Sequence, residues 1–559
     1  MDADQFGELC GDMEQSGIRC EFGAAAAPRK RKVEAILIDD SDGEPAVSQC
    51  DVGDSRPGPS SLKELYQWPA RFLKELVDHI PRSLDTLREN LSLGLVHEED
   101  FAGCAGMVVA CQYFLESVKS DWNLPQDSHG VRHFSVSDNS SNAVKALQLL
   151  PDFTNDAGPE HIFKNIFEKL PNGIRLEMKA NRKKTKQLSA QLAVMLKRAL
   201  SSSVGETADI VETRALIEET HNTSTVLLAK ADMVLSTLTK EALAEVVVTC
   251  YRCDHKRGQG KPKCPSCFNG EAASSSASSS ASPAVGPVSF LGAGSVCVAH
   301  SPMGDRQGLY HESAIVLMTW LHIIRARRVP LFFHECSDRF DKSIISSILK
   351  DWKLSSAKVC PSMAGQPIFR KRSLTSGYLP EVFVHTSDAD KFLELYTRDR
   401  VGTCDMYFAA PDEIVQKDWR GRARAQRLPE LSMGKQYTFE EATDPVKLMR
   451  RDGYLNLFME KTVPPSLTSP KCPQKGTKVW GNHPWIGDLD HNPTNFSRCG
   501  TGVMPTLVCH GDLYNFSIGR SMTAEEQLLC QVFPVWPHIH AGPAIGPFVG
   551  SPHTPWSSH

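Results

Sequence analysis

One cysteine lies in a turn of small residues that follows a predicted strand, and an acidic residue ends the next predicted strand of the chain. Residues 296–308 read V-C-V-A-H-S-P-M-G-D-R-Q-G, and they place Cys297 shortly after the apolar run 288–291. The later run 331–334 reads as a buried strand that ends at Glu335. A thiolate attacks an electrophilic carbon, and a positioned carboxylic acid donates a proton. The pair therefore predicts covalent catalysis on a ring that must be both attacked and protonated.

A second turn of small residues lies in the N-terminal half and precedes residues 106–118, whose apolar spacing predicts a helix. Small residues in such a turn let a ligand approach the backbone and the helix N-terminus. The short predicted strand 132–137 ends at Asp138, where an acid can bind the ribose hydroxyls of a nucleotide-type ligand. An aspartate in a surface turn is the alternative. The turn consists of Phe101, Ala102, Gly103, Cys104, Ala105 and Gly106.

Four cysteines form two chelating pairs near the middle of the chain. The spacing is CxxC-x10-CxxC, with a Gly- and Lys-containing loop between the pairs. Two such turns can close a tetrahedral zinc site of four thiolates, so we expect a structural zinc ion that folds this segment. Free thiols in a linker are the alternative. The predicted zinc ligands are Cys250, Cys253, Cys264 and Cys267.

The elements around these residues alternate between strand and helix, which predicts a parallel sheet with covering helices. The alternation is clearest at 288–378, whereas residues 62–77 have helical spacing that Pro69 interrupts. Residues 174–248 are predicted to be helical and charged, and the Ser/Ala tract 272–283 is predicted to be a flexible linker. The helical segment contains a basic cluster of Lys179, Arg182, Lys183, Lys184 and Lys186.

The region after residue 380 is rich in Pro, Trp and Arg and shows little pattern. Its most basic stretch, 419–427, combines arginines with a tryptophan. Such a stretch suits backbone and stacking contacts with nucleic acid, and an exposed charged helix is the alternative.

Composition limits the class of protein. The 559 residues are 41% hydrophobic and 23% charged, and the net charge of −4 means that any contact with nucleic acid needs a local basic patch. Seventeen scattered cysteines indicate reduced thiols inside a cell. The apolar run 314–324 is too short to span a bilayer, and the N-terminus lacks the apolar core of a secretory signal. We expect a soluble intracellular protein with no membrane partner.

Residues 1–60 are predicted to be disordered and to carry two short signals. The segment 28–33, P-R-K-R-K-V, matches the monopartite nuclear-import type, so we expect an import receptor as partner and a nuclear location. A charge run on a solvated tail is the alternative. Residues 35–44 form a short β-prone run with an acidic tail, which can add a strand to a ubiquitin-like modifier.

Taken in order, these segments resemble the cytosine-C5 DNA methyltransferase family. The turn 101–106 is similar to its F-x-G-x-G-G cofactor motif, and Asp138 falls at its ribose-binding acid. Segment 161–166 resembles its third motif, with Asn165 in place of aspartate. The loop at Cys297 matches the nucleophile motif P-C-Q-x-x-S-x-x-G-x-x-x-G, with Val296 and Val298 in place of proline and glutamine.

Three later segments extend the resemblance. Glu335 matches the acid of the E-N-V motif, and 365–372 matches the motif that ends in Q-x-R-x-R, with Arg370 and Arg372 kept. Segment 520–534 is similar to the ninth motif. The resemblance is to the divergent, insertion-rich members found in some protists, and it covers residues 95–170 and 288–534.

The resemblance implies a DNA (cytosine-5)-methyltransferase that uses S-adenosylmethionine. In the family mechanism a thiolate adds to C6 of the pyrimidine, and Cys297 would be that nucleophile. Glu335, protonated in a dry pocket, would donate to ring N3, while Arg370 and Arg372 would hold the base, which must first leave the DNA stack. The cofactor would be bound by the turn from Phe101 to Gly106, by Asp138 and by Asn165.

Two other functions remain open. One is a transfer-RNA cytosine-5 methyltransferase on the same scaffold, with RNA as substrate. The other is a catalytically inactive, methyltransferase-like protein that binds nucleic acid or acts as a scaffold, because the proline and glutamine beside Cys297 are replaced.

The predicted fold class is α/β: a Rossmann-like sheet of the S-adenosylmethionine-dependent methyltransferase type, a helical zinc-bearing insertion and an irregular C-terminal target-recognition region. The predicted divisions are a tail with an import signal (1–60), a cofactor-binding half (61–171), the insertion with its linker (172–287), a catalytic half (288–379), the target-recognition region (380–505) and a closing motif with a tail (506–559).

Overall fold

The computed structural model describes residues 56–79, 84–102, 106–122, 131–138, 140, 143–144, 147, 159, 161–201, 208–246, 288–295, 299–300, 307–383, 388–427, 435–462, 485–493, 499–508 and 511–531. The helices are α1 (Leu62–Tyr66), α2 (Trp68–His79), α3 (Leu84–Ser92), α4 (Gly106–Asp121), α5 (Asn172–Ser201), α6 (Ala208–Ser236), α7 (Lys240–Ala244), α8 (Ser313–Arg327), α9 (Ser343–Ile348), α10 (Ala389–Glu394), α11 (Asp412–Ala425), α12 (Pro445–Thr462) and α13 (Ala524–Leu529). Short 3-10 helices cover Ile166–Lys169, Gly308–Tyr310, Pro361–Met363 and Cys404–Tyr407. No helix in the described residues is long and apolar enough to cross a membrane.

The strands form two sheets. They are β1 (Leu95–Asp100), β2 (Val131–Ser137), β3 (His161–Phe163), β4 (Val288–Gly294), β5 (Leu331–Ser337), β6 (Lys353–Val359), β7 (Arg372–Tyr378), β8 (Trp485–Asp488), β9 (Cys499–Thr501), β10 (Leu513–Asn515) and β11 (Arg520–Ser521). The larger sheet has the order β3-β2-β1-β4-β5-β7-β6, and the smaller one has the order β11-β10-β8-β9.

The larger sheet is mostly parallel, as the strand-helix alternation predicts. Only β7 runs antiparallel to its neighbours β5 and β6. The order from β3 to β5 is that of Rossmann-type sheets, in which winding reverses between the first and fourth strands. Ligands of such sheets bind outside the carboxyl ends of the strands at this reversal. The sheet topology therefore predicts a ligand site at the carboxyl ends of β1 and β4.

Strand β1 lies in the centre of the sheet although the sequence does not predict it. Its last four residues, H-E-E-D, are all buried. Burial alone would raise the pKa of the Glu98 carboxyl, but Arg327 at the end of α8 binds it through two hydrogen bonds of 3.0 and 2.5 Å and lowers its pKa to about 2. Lys169 binds Asp100 at 2.7 Å. Partners from distant segments thus stabilise charges that would otherwise oppose burial.

Helices cover both faces of the larger sheet. Phe290 of β4 packs with residues of α2, α3 and α4, whereas Leu291 and Ala293 face the core formed by α8 and the long helices α5 and α6. Helix α8 is buried along 314–324, which explains why this stretch is apolar on all sides.

Two details of the predicted elements differ in the structure. The helical break near Pro69 falls at Gln67, between α1 and α2, because proline fits the first turn of a helix. The predicted irregular C-terminal region contains helices α10, α11 and α12 and two of the four strands of the smaller sheet, β8 and β9. The strands of this sheet have two to four residues, too few to show an alternating pattern in the sequence.

Candidate active site at the carboxyl ends of the strands

Three side chains that the sequence assigns to the base meet at the junction of β5 and β7. Glu335 lies near the end of β5, and β7 begins at Arg372, which pairs with Ser337. Nε of Arg372 lies 2.6 Å from Oε1 of Glu335, and the Arg370 guanidinium lies 3.8 Å from the same oxygen. The antiparallel return of β7 produces this meeting. Two guanidinium groups and a carboxyl can bind the polar edge of a planar base.

The environment of Glu335 differs from the dry pocket that the resemblance implies. Its side chain is 31% exposed and forms an ion pair with Arg372, whose side chain is 15% exposed. Water therefore reaches this carboxyl in the structure.

Gly294, the last residue of β4, lies between the carboxyl and the cofactor turn. A Cβ atom at this position would lie 3.5 Å from Oε2 of Glu335 and 3.8 Å from the carbonyl oxygen of Phe101. The next residue, Ser295, donates its N–H to the Glu335 carbonyl at 3.0 Å. The structure thus brings the ends of β1, β4 and β5 together. Cys297 itself lies outside the described residues.

The predicted cofactor residues that the structure describes lie at the adjacent ends of β1, β2 and β3. Phe101 has a φ of 59°, which is strained for a bulky residue, and strain of this kind is common at ligand sites. The N–H of Ala102 donates to Ser137 at 3.0 Å, and that of Asp138 donates to Phe163 at 3.1 Å. Asn165 caps the following 3-10 helix through Phe167 N–H at 3.0 Å. Gly106 begins α4, whereas Gly103, Cys104 and Ala105 lie outside the described residues.

This edge is acidic. Burial raises the pKa of the Glu99 carboxyl to about 8; a hydrogen bond from Val108 N–H acts against this rise, and the carboxyls of Asp100 and Asp138 add to it. Within the described residues, Oε2 of Glu99 and Oδ2 of Asp100 are buried without a hydrogen-bond partner. Buried polar oxygens without partners favour a ligand that brings hydrogen-bonding groups, and the ionised Asp100 favours N–H or O–H donors in particular. S-adenosylmethionine carries a sulfonium, an ammonium group and ribose hydroxyls, so these residues fit it.

His334 supports the end of β4, although its sequence neighbours predict no role for it. Burial, and secondarily His300, lowers the pKa of the His334 imidazole to about 3. The neutral ring hydrogen-bonds to Oγ of Ser295 through Nε2 at 2.8 Å and packs against Trp320 and Phe340. Its place inside an apolar run was the only signal in the sequence. Its contact orients the residue that leads into the Cys297 segment.

A small cavity, about the size of one water molecule, lies near this histidine at the N-terminus of α8. Phe101, Ser295 and His300 line one part of it. The other part consists of Ser313, Ala314, Val316 and Leu317 from the first turns of α8. The cavity therefore lies between Phe101 and the residue that follows β4.

The segment that carries Arg370 is held by two contacts that the sequence does not indicate. The buried Cys360 accepts the Arg370 N–H through its sulfur at 3.3 Å. Met504 exchanges backbone hydrogen bonds of 2.8 Å with Pro367 and Phe369. The smaller sheet region therefore contacts the arginine segment directly.

The segment at Arg520 has a structural role. Its guanidinium forms two hydrogen bonds of 2.7 and 2.6 Å with the buried Glu526, and it lies over the Phe408 ring. Glu526 also accepts the Ala410 N–H at 2.8 Å. These contacts attach α13 and β11 to residues 404–410.

Some residues of the basic stretch 419–427 stabilise the fold through contacts within the protein. Trp419 packs near Phe439, and Arg422 binds Asp418 and Asp512 at 2.6 and 2.9 Å. The exposed arginines of the stretch are Arg420, Arg424 and Arg427, and contact with nucleic acid stays a prediction for them.

The predicted zinc ligands, the import segment 28–33 and the segment 35–44 all lie outside the described residues. Within the part of the chain that the structure describes, no group of three or more His, Cys, Asp or Glu side chains could hold a metal ion. Zinc therefore remains a prediction from the spacing of the cysteines.

No protein-family profile matches the sequence, and no curated protein is similar to it. Among solved structures, a DNA modification methyltransferase encoded within an E. coli prophage aligns with 57% of this chain and 56% of its own, at 11% identity and a TM-score of 0.27. The S. pombe Dnmt2 methyltransferase aligns with 54% of each chain, at 10% identity and a TM-score of 0.24.

A mutant of the Spodoptera frugiperda DNMT2 aligns with 29% of this chain and 67% of its own, at 14% identity and a TM-score of 0.14. The aligned parts thus span just over half of the first two structures. TM-scores this low do not establish a shared fold. The assignment of a function therefore depends on this chain's own sheet and site residues.

Proposed function

We propose that the protein is an S-adenosylmethionine-dependent methyltransferase that acts on C5 of cytosine in DNA. The observation that carries this proposal is the meeting of two groups of residues at Gly294. Glu335 and its two arginines lie on one side, and the cofactor turn at Phe101 lies on the other. A planar base and a nucleoside-type cofactor held by these groups would be in contact.

The residues at the ends of β1, β2 and β3 would hold the cofactor. Asp138 would accept hydrogen bonds from the ribose hydroxyls, and Oδ2 of Asp100, which is buried without a partner, would accept one from the ammonium group of the cofactor. When bound, S-adenosylmethionine supplies an electrophilic methyl group. The side chain of Asn165 already caps a 3-10 helix, so its contribution would be to shape the edge.

Cys297 would attack C6 of the base. Its chain neighbours are anchored on both sides: Ser295 N–H donates to Glu335, and Gly308 N–H donates to the carbonyl of the buried Ala299 at 2.8 Å. Because consecutive Cα atoms are about 3.8 Å apart, the Cα atom of Cys297 lies within about 8 Å of that of Ser295. A thiol on so short a tether would reach a base bound at Glu335.

Trapping of the covalent intermediate tests this function. The protein is incubated with labelled S-adenosylmethionine and duplex DNA that contains 5-fluorocytosine. We expect a denaturation-resistant adduct with wild-type protein and none with Cys297→Ser. Calorimetry with S-adenosylmethionine shows whether the variant keeps the cofactor site and therefore its fold. Absence of an adduct together with absence of cofactor binding by the wild type would refute the proposal.

The two alternatives give different results in the same assay. A transfer-RNA methyltransferase would form its adduct with 5-fluorocytosine RNA instead of DNA. An inactive nucleic-acid-binding protein would retain both nucleic acids without forming an adduct.

We further propose that the protein acts in the nucleus, with 28–33 as the import segment. Replacement of its four basic residues by alanine in a fluorescent fusion is expected to leave the protein outside the nucleus. Nuclear accumulation of that variant would contradict the proposal.

A further inference from the structure

Helices α5 and α6 form an antiparallel pair attached beside the candidate site. Ser189 donates its hydroxyl to Oε1 of the buried Gln307 at 2.5 Å, and Nε2 of Gln307 donates to the Ser189 carbonyl at 2.8 Å. The His221 ring stacks on Tyr310 with centroids 4.1 Å apart. Gln307 and Tyr310 directly follow the segment that contains Cys297. The pair is therefore held next to the site where we propose that the target base enters.

One face of α5 is strongly basic. The helix contains eight basic residues and one acidic residue. Four of its lysines are exposed, and in the described residues none of them forms an ion pair. Three of them lie within about 60° of one another around the helix axis, and we call these the lysine face: Lys179, Lys183 and Lys186. The fourth, Lys184, lies about 100° farther round the helix.

The neighbouring helix does not neutralise the lysine face. An ion pair of 3.4 Å between Lys230 and Glu177 fixes the register of the two antiparallel helices. In this register the lysine face lies opposite 221–228, a stretch without any carboxylate. Like charges spaced at i and i+4, such as Lys179 and Lys183, oppose helix formation. An external anion would compensate this repulsion.

We propose that the lysine face binds the phosphate backbone of the DNA whose target base enters the site at Glu335. This inference rests on the proposed function. Lys179 to Lys186 span about 10 Å along the helix, the length of about three base steps. The chain as a whole has a net charge of −4, so its affinity for DNA requires a local basic surface of this kind.

The salt dependence of DNA binding tests the lysine face. The variant Lys179→Gln/Lys183→Gln/Lys186→Gln is compared with wild type in fluorescence-anisotropy titrations of a labelled duplex over a series of salt concentrations. We expect weaker binding at low salt. We also expect the slope of log K against log salt to become shallower by about 2.7, since each lost phosphate contact contributes about 0.9. Circular dichroism checks that the helices are retained, because glutamine has a helix propensity close to that of lysine.

A matched control removes the same charge elsewhere. Lys350, Lys353 and Lys391 are exposed, and their joint replacement by glutamine is expected to leave the slope unchanged. Equal losses in both variants would overturn the proposal, because they would indicate a general charge effect. A wild-type slope in the lysine-face variant would also overturn it, as would loss of binding to anionic vesicles without any change in DNA binding.

The same samples separate this inference from the proposed function. If wild-type protein binds DNA but transfers no methyl group, the enzymatic proposal fails. The salt slopes of variant and wild type then still test whether the lysine face binds DNA. If methyl transfer occurs and the salt slopes of variant and wild type are equal, the proposal that the lysine face binds DNA fails, and the proposed enzymatic function is supported.

Discussion

The two carboxyl oxygens of Glu335 face different parts of the candidate site. Oε1 binds Arg372, and Oε2 faces Gly294 at the end of β4. A guanidinium group is planar and can bind a carboxyl and a base edge together, whereas a lysine ammonium acts as a point charge. Arg372 is therefore expected to orient both the carboxyl and the base.

We expect Arg372→Lys to lower kcat for methyl transfer by about 100-fold, because loss of the planar contact misplaces the reacting groups. The dissociation constant of S-adenosylmethionine should stay unchanged, since β7 does not contribute to the cofactor edge. Single-turnover kinetics and calorimetry measure the two quantities. Arg400→Lys, at an exposed arginine, is the control. A normal kcat in Arg372→Lys would refute this role.

Glu99 makes stability depend on pH. Its carboxyl keeps its proton in the folded protein up to about pH 8, whereas in the unfolded chain it loses the proton above about pH 4.5. Between these values the folded state binds more protons, so the free energy of unfolding decreases as pH rises. The slope from this group is at most about 1.4 kcal/mol per pH unit.

Glu99→Gln should remove this dependence, because the amide does not titrate and its oxygen can still accept the Val108 N–H. Denaturant unfolding at several pH values between 5 and 8 is the measurement. We expect the variant to gain stability relative to wild type as pH rises. Glu116→Gln, at an exposed position on α4, should behave as wild type. Parallel pH profiles for wild type and Glu99→Gln would contradict the assigned pKa.

Gln307 connects the helix pair α5 and α6 to the segment that carries the proposed nucleophile. This side chain is 4% exposed and exchanges two hydrogen bonds with Ser189. The next residue, Gly308, has a φ of 56° and closes the segment 299–308 by binding Ala299. The insertion thus supports the end of the segment that carries the proposed nucleophile.

We expect Gln307→Ala to lower kcat while the affinity for S-adenosylmethionine is retained. It should also reduce the free energy of unfolding by about 1–3 kcal/mol, because the buried Ser189 hydroxyl loses its partner. Methyl-transfer kinetics, calorimetry and urea unfolding test these effects. Gln187→Ala, at an exposed position on α5, the helix that contains Ser189, is the control. Lower stability with normal kcat would show that the contact supports only the fold.

The two sheets of the molecule are connected through the arginine segment. Met504 pairs with Pro367 and Phe369, so the region with the smaller sheet holds the backbone next to Arg370. A buried charge network stabilises that region, with Asp512 bound to Arg422 and Lys447, each at 2.9 Å. Burial would raise the pKa of Asp512, but these two cations lower it to about 2.

Asp512→Asn should destabilise the C-terminal region by about 3 kcal/mol, because two partly buried cations lose a counter-charge. In wild type, the stabilisation from Asp512 is complete above about pH 4 and decreases as pH falls towards 2, since the folded pKa lies below the unfolded value of 3.8. Calorimetric melting at several pH values measures both effects. Asp452→Asn, at an exposed carboxyl, should melt as wild type does. Equal melting of both variants would contradict the role of the network.

Sequence patterns predicted the mostly parallel sheet and the strand that leads to Glu335, because apolar runs and their spacing are local properties. They did not predict β1, whose final residues are charged, or the short strands of the smaller sheet. In both cases the strand depends on residues far away in the sequence. Arg327 compensates Glu98, and a strand of two to four residues is defined only by its neighbours.

The residue types alone determined the candidate chemistry: a cysteine, an acid and two arginines in the order of a known family, each recognisable from its neighbours in the chain. Only the tertiary structure decided that Glu335 is ion-paired and partly exposed, and that Gly294 joins it to the cofactor edge. The same is true of the position of the lysine face beside the site. Distances between segments far apart in sequence depend on the strand order of the sheet and on which helices pack against it. Local sequence patterns determine neither the strand order nor the helix packing.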